Sequence, residues 1–366
     1  MLRDLSIHNY RCFQDFHIDD LARVNLIVGM NNSGKTSLLE AVYLLADQSN
    51  PHRLLDLLDI RGEIAPLGDR NSVSQKYQIS HIFPEHKLNF EQNILIQSHK
   101  DKPISVQIQL APITQSSQIV EDVSEINDQA FELIFELILI DEDEVDLKMK
   151  APLFQDGSFE RRSFKSTKPS KQLLNSSIQG CEFLLATRDI GFDYLAKLWD
   201  QITLTPKEES LVKALQILEP DVERMSFTSS QTTNSGILLK LRGRPHPIPL
   251  GSMGEGMRRI LALSMTAVTA ENNVLLVDEI ETGLHYEKQT DMWRLVLQMA
   301  KQLNIQVFAT THSWDCICAF QEALDELEDQ SIGKLFRLSQ KGDKIVPVEY
   351  TPEELSAAVR QSIEVR

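Results

Sequence analysis

The sequence predicts an α/β fold in which a largely antiparallel β region is inserted between two α/β segments. Three observations carry this. First, Val24-Asn25-Leu26-Ile27-Val28 is a short apolar run of buried-strand type. It meets a glycine-rich turn and then a helical pattern over Thr36 to Asp47, with Leu38, Leu39, Val42 and Leu45 on one face. Second, the pattern from about Lys76 to Met149 is strand-like, as in the alternating Ile104-Ser105-Val106-Gln107-Ile108-Gln109-Leu110. Third, short apolar runs and helical patterns alternate again towards the end of the chain, among them Val274-Leu275-Leu276-Val277 and Val307-Phe308-Ala309-Thr310-Thr311.

The opening residues justify a strand, since Leu5 and Ile7 alternate with polar neighbours. Helical patterns fill Phe192 to Glu219, and strand-like runs follow at Met225 to Phe227 and Ile237 to Leu241. Four segments result: 1–95, with the glycine-rich turn; 96–180, rich in strands; 181–245, a helical lobe with strands; and 246–366, the second α/β segment. Residues 155–178 read as a loop, rich in Ser, Lys and Arg. Its Arg161, Arg162, Lys165, Lys168 and Lys171 form the one concentrated basic stretch. A solvated loop is favoured there over a contact with a phosphate backbone, because interleaved aromatics are limited to Phe159 and Phe164.

Composition bounds the function. A hydrophobic content of 42% in 366 residues suffices for a large core in about two lobes. The 37 Lys and Arg against 53 Asp and Glu give a net charge of −16, which excludes a surface of uniformly positive potential but not a local basic patch. No apolar signal segment follows Met1-Leu2-Arg3-Asp4, and the apolar stretch Phe131 to Ile140 is too short to cross a bilayer. Cys12, Cys181, Cys316 and Cys318 lack metal-ligand spacing and read as reduced core thiols. A cytoplasmic protein with no membrane partner is expected.

Gly29-Met30-Asn31-Asn32-Ser33-Gly34-Lys35-Thr36, followed by Ser37, fits G-x-x-x-x-G-K-[ST] without mismatch. Gly29 and Gly34 let the backbone curl so that successive N–H groups address phosphate oxygens, and the following helix adds its positive end. Lys35 can reach the β- and γ-phosphates, and the Thr36 hydroxyl suits a Mg²⁺ ligand. The run Val274 to Val277 ends in Asp278-Glu279, which a central strand would deliver to the sheet edge where ligands bind. Asp278 would hold the Mg²⁺ shell, and Glu279 would polarise the attacking water. Leu250-Gly251-Ser252-Met253-Gly254-Glu255-Gly256 precedes a helical pattern and reads either as a second anion site or as a capped helix start. Ile280-Glu281-Thr282-Gly283-Leu284-His285 follows the acidic pair, and His312-Ser313 ends the last apolar run.

In this order the motifs resemble those of the ABC-type ATPases, in the branch of the SMC, RecF and OLD proteins. Ile7-His8-Asn9-Tyr10-Arg11-Cys12-Phe13 resembles that branch's "I-x-N-[FY]-R-x-F", Asp278 to His285 its "DE-x-E-x-x-LH", and Thr310-Thr311-His312-Ser313 its "TTHS". The resemblance implies a P-loop fold with a mixed central sheet, an antiparallel β subdomain and a helical lobe. It implies an ATP hydrolase with Mg²⁺, whose ATP is bound by Gly29, Asn31, Asn32, Ser33, Gly34, Lys35, Thr36 and Ser37 of one copy. Ser252 and Gly254 would come from a second copy, in a dimer or higher assembly. Glu279 and Lys35 would be catalytic and His312 the γ-phosphate sensor; Thr36 and Asp278 would hold the metal. The signature departs from the usual form at Met253 and Glu255, and Glu255 needs a cation such as Arg258 or Arg259. His81 falls where a Gln-loop would.

Only 54 residues follow His312, too few for the Toprim nuclease of fused OLD proteins, and Asp325, Glu326, Glu328 and Asp329 read as a solvated helix face. The resemblance therefore implies a stand-alone OLD-like head gating DNA processing or a separately encoded effector, such as a nuclease or toxin in phage defence. DNA contact would be confined to a patch or come through a partner. An ATP-binding scaffold with little turnover and a RecF-like repair clamp are the competing expectations; a transporter subunit is disfavoured by "TTHS" and "DE-x-E".

Overall fold

The computed structural model describes residues 1–47, 50–65, 75–88, 93–112, 133–142, 144–166, 180–184, 191–216, 219–228 and 236–365. The chain opens with β1 (Leu5–Tyr10), β2 (Phe13–Ile18), β3 (Val24–Val28), α1 (Lys35–Ala46) and α2 (Arg53–Arg61). Then come β4 (Lys76–Gln78), β5 (Ile94–Ser98), β6 (Ile104–Pro112), β7 (Leu133–Asp141), β8 (Glu144–Leu153), β9 (Ser158–Glu160) and β10 (Lys165–Ser166). The next elements are β11 (Cys181–Leu184), α3 (Phe192–Ile202), α4 (Pro206–Gln216), β12 (Val222–Thr228), β13 (Gly236–Leu241) and β14 (Ile248–Pro249). The last are α5 (Glu255–Thr269), β15 (Val274–Val277), α6 (Gln289–Gln302), β16 (Gln306–Thr311), α7 (Trp314–Asp325), β17 (Gly333–Lys341), β18 (Lys344–Tyr350) and α8 (Pro352–Arg360).

Two sheets organise these elements. The central sheet has the order β11-β15-β16-β3-β17-β18 and is parallel except for β18. Its strands β3, β15 and β16 are buried along their whole length because both faces are covered. On one face Leu26, Val28, Val277 and Ala309 pack with the helices from α3 to α8; on the other, Ile27, Leu276, Phe308 and Phe336 pack towards α1 and the antiparallel sheet. The antiparallel sheet has the order β10-β8-β7-β6-β5-β1-β2. It draws strands from both of the first two sequence segments, and β5 straddles residue 95.

Helix α1 lies between the sheets, touching β5 and β6 on one side and β11, β15 and β16 on the other. It is therefore buried nearly all round, not amphipathic as its leucine spacing predicts, and even Glu40 is 1% exposed. A buried carboxylate persists only when paired. Arg11 Nε lies 2.7 Å from Glu40 Oε2 and Arg61 Nε lies 2.5 Å from Oε1. Arg11 also forks onto Glu63 at 2.6 and 3.2 Å, so this arginine ties the β1–β2 turn to α1 and to the end of α2.

The basic stretch is not simply a loop. Within 155–166 the chain forms β9 and β10, with Phe159 and Phe164 in the core, because their rings pack on Phe135. Arg162 pairs with Glu160 at 2.5 Å, and Arg161 lies 3.7 Å from Asp59. Lys168 and Lys171 lie outside the described residues. On β7, Glu136 receives Lys148 and Lys150 at 2.9 and 2.7 Å. Burial pushes its pKa up, but hydrogen bonds from Lys150, Lys148 and Gln109 outweigh this and bring it down to about 2.

The predicted acidic helix face also changes. Helix α7 ends at Asp325; Glu326 pairs with Arg294 through both carboxylate oxygens, and Asp329 caps the turn at Ser331. Among the described residues no helix is long and apolar enough to cross a membrane.

Candidate functional site

The site forms where β3, β15 and β16 end side by side. After β3 the chain turns at Gly29 with φ 151° and reaches α1 through Gly34 with φ 92°, conformations that L side chains rarely adopt. Space reinforces the requirement. A Cβ on Gly29 would lie 2.7 Å from Ser33 Oγ and 2.9 Å from the Leu338 carbonyl; one on Gly34 would lie 2.7 Å from Cys12 Sγ. The turn between β1 and β2 thus abuts the glycine-rich loop. Cys12 is exposed there, unlike the core thiol expected, while Cys181 and Cys316 are buried; all four cysteines are free.

No side chain caps α1, so the N–H groups of its first turn have no intrahelical acceptor. Asn31 and Asn32 are exposed on the loop, and Ser33 Oγ is buried with no hydrogen-bond partner among the described residues. Lys35 Nζ donates to the carbonyls of Gly29 and Met30 at 2.8 and 2.9 Å. Burial lowers the Lys35 pKa, opposed by the carboxylates of Asp278, Glu279 and Glu281. Lys35 thus lies in the field of three carboxylates, of which Asp278 and Glu281 are buried and Glu279 is half-exposed.

Asp278 leaves β15 buried. It accepts hydrogen bonds from Thr36 Oγ1 at 3.1 Å and from Thr310 Oγ1 at 2.6 Å. The same Thr310 oxygen accepts the Glu279 N–H at 2.8 Å, so one hydroxyl on β16 fixes two consecutive residues after β15. Glu279 has φ 45° and starts the turn that carries Glu281 back against β16. His312 Nδ1 lies 3.8 Å from Glu279 Oε1 and 3.6 Å from Glu281 Oε1.

The turn Leu250–Met253 is a 3₁₀ segment, and Gly254 with φ 88° leads into α5. Ser252 and Gly254 are exposed. Gly256 packs on the Gly283-Leu284 turn, and Arg258 lies 3.5 Å from Glu255. Arg259 goes elsewhere: it is buried, and its Nη2 donates to the Asp278 carbonyl at 3.3 Å. Burial lowers its pKa, with Asp278, Glu281 and Glu279 opposing. His81 is exposed in a 3₁₀ turn whose Ile82 is buried, and the described contacts of His81 run to His86 and Arg11, not to Thr36 or Asp278.

The structure thus brings Gly29, Ser33, Gly34, Lys35, Thr36, Asp278, Glu279 and His312 to one sheet edge. Thr310, Glu281 and Arg11 lie within the sequence motifs, but motif spacing gives none of them a task. Their partners lie 32, 31 and 29 positions away in the chain, so spacing could not reveal them.

Residues 1–317 match the AAA ATPase domain. The chain belongs to that family. Over 378 aligned residues it is 25% identical to an ATP/GTP phosphatase of Helicobacter pylori, covering 97% of each chain. It is 36% identical over 95 residues to the DNA replication and repair protein RecF of Bacillus cytotoxicus, covering 24% of this chain and 26% of that one. Among solved structures, an SMC head bound to the C-winged helix domain of ScpA matches with a TM-score of 0.50 and 12% identity, covering 97% and 99% of the two chains. An SMC head with an extended coiled coil, bound to the C-terminal domain of ScpA derived from Pyrococcus furiosus, matches at 0.51 and 11%, covering 99% of both. At these identities the structures show the fold alone, that of an SMC head. With the AAA ATPase domain and the phosphatase relative, the chain is an ATP hydrolase.

Proposed function

We propose that this AAA family member is a Mg²⁺-dependent ATPase switch whose two copies close on ATP and part after hydrolysis. The observation that supports it most is the Thr36–Asp278 contact at 3.1 Å with Glu279 and His312 beside it. Oxygen donors of this kind suit Mg²⁺, which keeps water and phosphate oxygens in its shell and needs few protein ligands. Thr36 and Asp278 would hold the metal, which supplies charge neutralisation for the phosphates. Ser33 Oγ, buried without a partner among the described residues, fits a polar ligand over the loop.

Each residue then has a task. Backbone N–H groups from Gly29 to Ser37 and the α1 N-terminus bind phosphate, with Asn31, Asn32 and Ser33 shaping the loop. Lys35 offsets charge on the β- and γ-phosphates. Glu279 orients water in line with the γ-phosphate and accepts its proton, while His312 contacts the same phosphate. Exposed Ser252 and Gly254 complete the site of a second copy, and Arg258 screens Glu255 there. The output we assign is control of DNA processing or of a separately encoded effector, in keeping with the RecF similarity; an OLD-like role in phage defence belongs to the same reading.

Light scattering on Glu279→Gln at micromolar concentration tests the closure. The expected mass is that of a dimer or larger assembly with Mg·ATP and of a smaller species without it. A monomer under both conditions would contradict the shared site.

A further inference from the structure

Glu281 is a buried carboxylate whose second oxygen, Oε2, has no hydrogen-bond partner among the described residues. Its place is fixed by the backbone. The Ile280 N–H donates to the Thr310 carbonyl at 3.0 Å, drawing the segment onto the end of β16, and the Leu284 N–H closes the turn onto the Glu281 carbonyl at 3.0 Å. Glu281 Oε1 then accepts the His312 N–H at 3.4 Å and lies 3.6 Å from His312 Nδ1. The His312 side chain is 52% exposed, whereas that of Glu281 is 9% exposed.

We propose that Glu281 is a positioning residue for ATP hydrolysis that acts through His312. This rests on the reading of His312 as the phosphate contact. The angle of this ring matters, because an imidazole turned away would leave the reacting end of the site without its partner. A single carboxylate touching both the main-chain N–H and the ring of His312 couples the path of the chain to the angle of the ring. Turning the Nδ1 edge towards Glu281 and Glu279 directs the Nε2 edge the other way, which is how a neighbouring group selects the working nitrogen of a histidine. Burying a negative charge here is sustained by the positive ones around it, since Lys35 and Arg259 both lie in the field of Glu281. Glu281 needs no contact with nucleotide to serve in this way.

A double-variant cycle on the full chain with Mg·ATP tests the proposal. Glu281→Ala is expected to lower kcat about tenfold with the KM for ATP within about twofold of wild type, as for a lost positioning group. His312→Ala should do the same. The double variant should then turn over within about twofold of His312→Ala, because two residues acting through one group do not multiply. Glu281→Gln keeps an acceptor for the His312 N–H and should fall between wild type and Glu281→Ala; it also serves for the cycle if the alanine variant melts early. Multiplying effects, or a raised KM with kcat unchanged, would overturn the proposal. So would a wild-type rate for Glu281→Ala beside a slow His312→Ala, which leaves the assignment of His312 standing. A wild-type rate for His312→Ala would instead remove that assignment and this inference with it.

Discussion

Glu279→Gln turns over ATP at least about tenfold more slowly than the wild-type chain while still binding it, the expected cost of losing a water-orienting base. Glutamine keeps the size of the side chain and an oxygen for the Thr282 hydroxyl, which lies 3.4 Å from Glu279 Oε2. The backbone at Glu279 is held independently of the side chain, by the bond from its N–H to Thr310 Oγ1. On the proposed mechanism, what disappears is the negative charge that would polarise water and take its proton. The glycine-rich loop proposed to bind phosphate is untouched, so binding of a fluorescent ATP analogue should persist. Phosphate release at the wild-type rate would remove Glu279 from the catalytic role.

Lys35→Ala is expected to fail earlier, at binding. In the wild-type pocket the ammonium group offsets the carboxylates of Asp278, Glu279 and Glu281 before any phosphate arrives. Without it, three acidic groups meet a polyanion in a partly buried site, where charge interactions are weakly screened. Affinity for the fluorescent analogue should drop at least about thirtyfold, the smaller end of the loss seen when one member of a buried charge pair is removed. Turnover falls with it. Unchanged affinity, measured by titration at fixed Mg²⁺, would place the phosphates away from Lys35.

Both residues are readable in the sequence, because each sits in a motif at the end of a buried strand. The strand at Val24–Val28, the helix after Lys35, the strand Val274–Val277 and the strand ending at Thr311 fall where local spacing predicts them. Each is a buried parallel strand or its adjoining helix, and such elements announce themselves by continuous apolar runs and by glycines at tight turns. Contacts between distant segments were not legible. Nothing in the helical spacing of α1 says that a second sheet covers its other side, or that Glu40 meets Arg11 and Arg61 there. The basic run at 161–165 looked solvated because the aromatic contacts that pull Phe159 and Phe164 inward come from β7. Likewise the bond from His312 to Glu281 joins two loops whose proximity depends on β15 and β16 being neighbours.

The proposed site is built from two copies, with the P-loop of one facing Ser252 and Gly254 of the other. The most direct measurement mixes two inactive chains. Lys35→Ala lacks a working P-loop but has an intact signature turn; Ser252→Glu has an intact P-loop but puts a negative charge on the exposed signature turn. Each should be nearly silent alone. Mixed in equal amounts they form mixed dimers with one intact site, so turnover should recover to about a quarter of the wild-type value, as random pairing in a twofold assembly requires. A mixture no more active than the two chains measured separately would contradict the shared site.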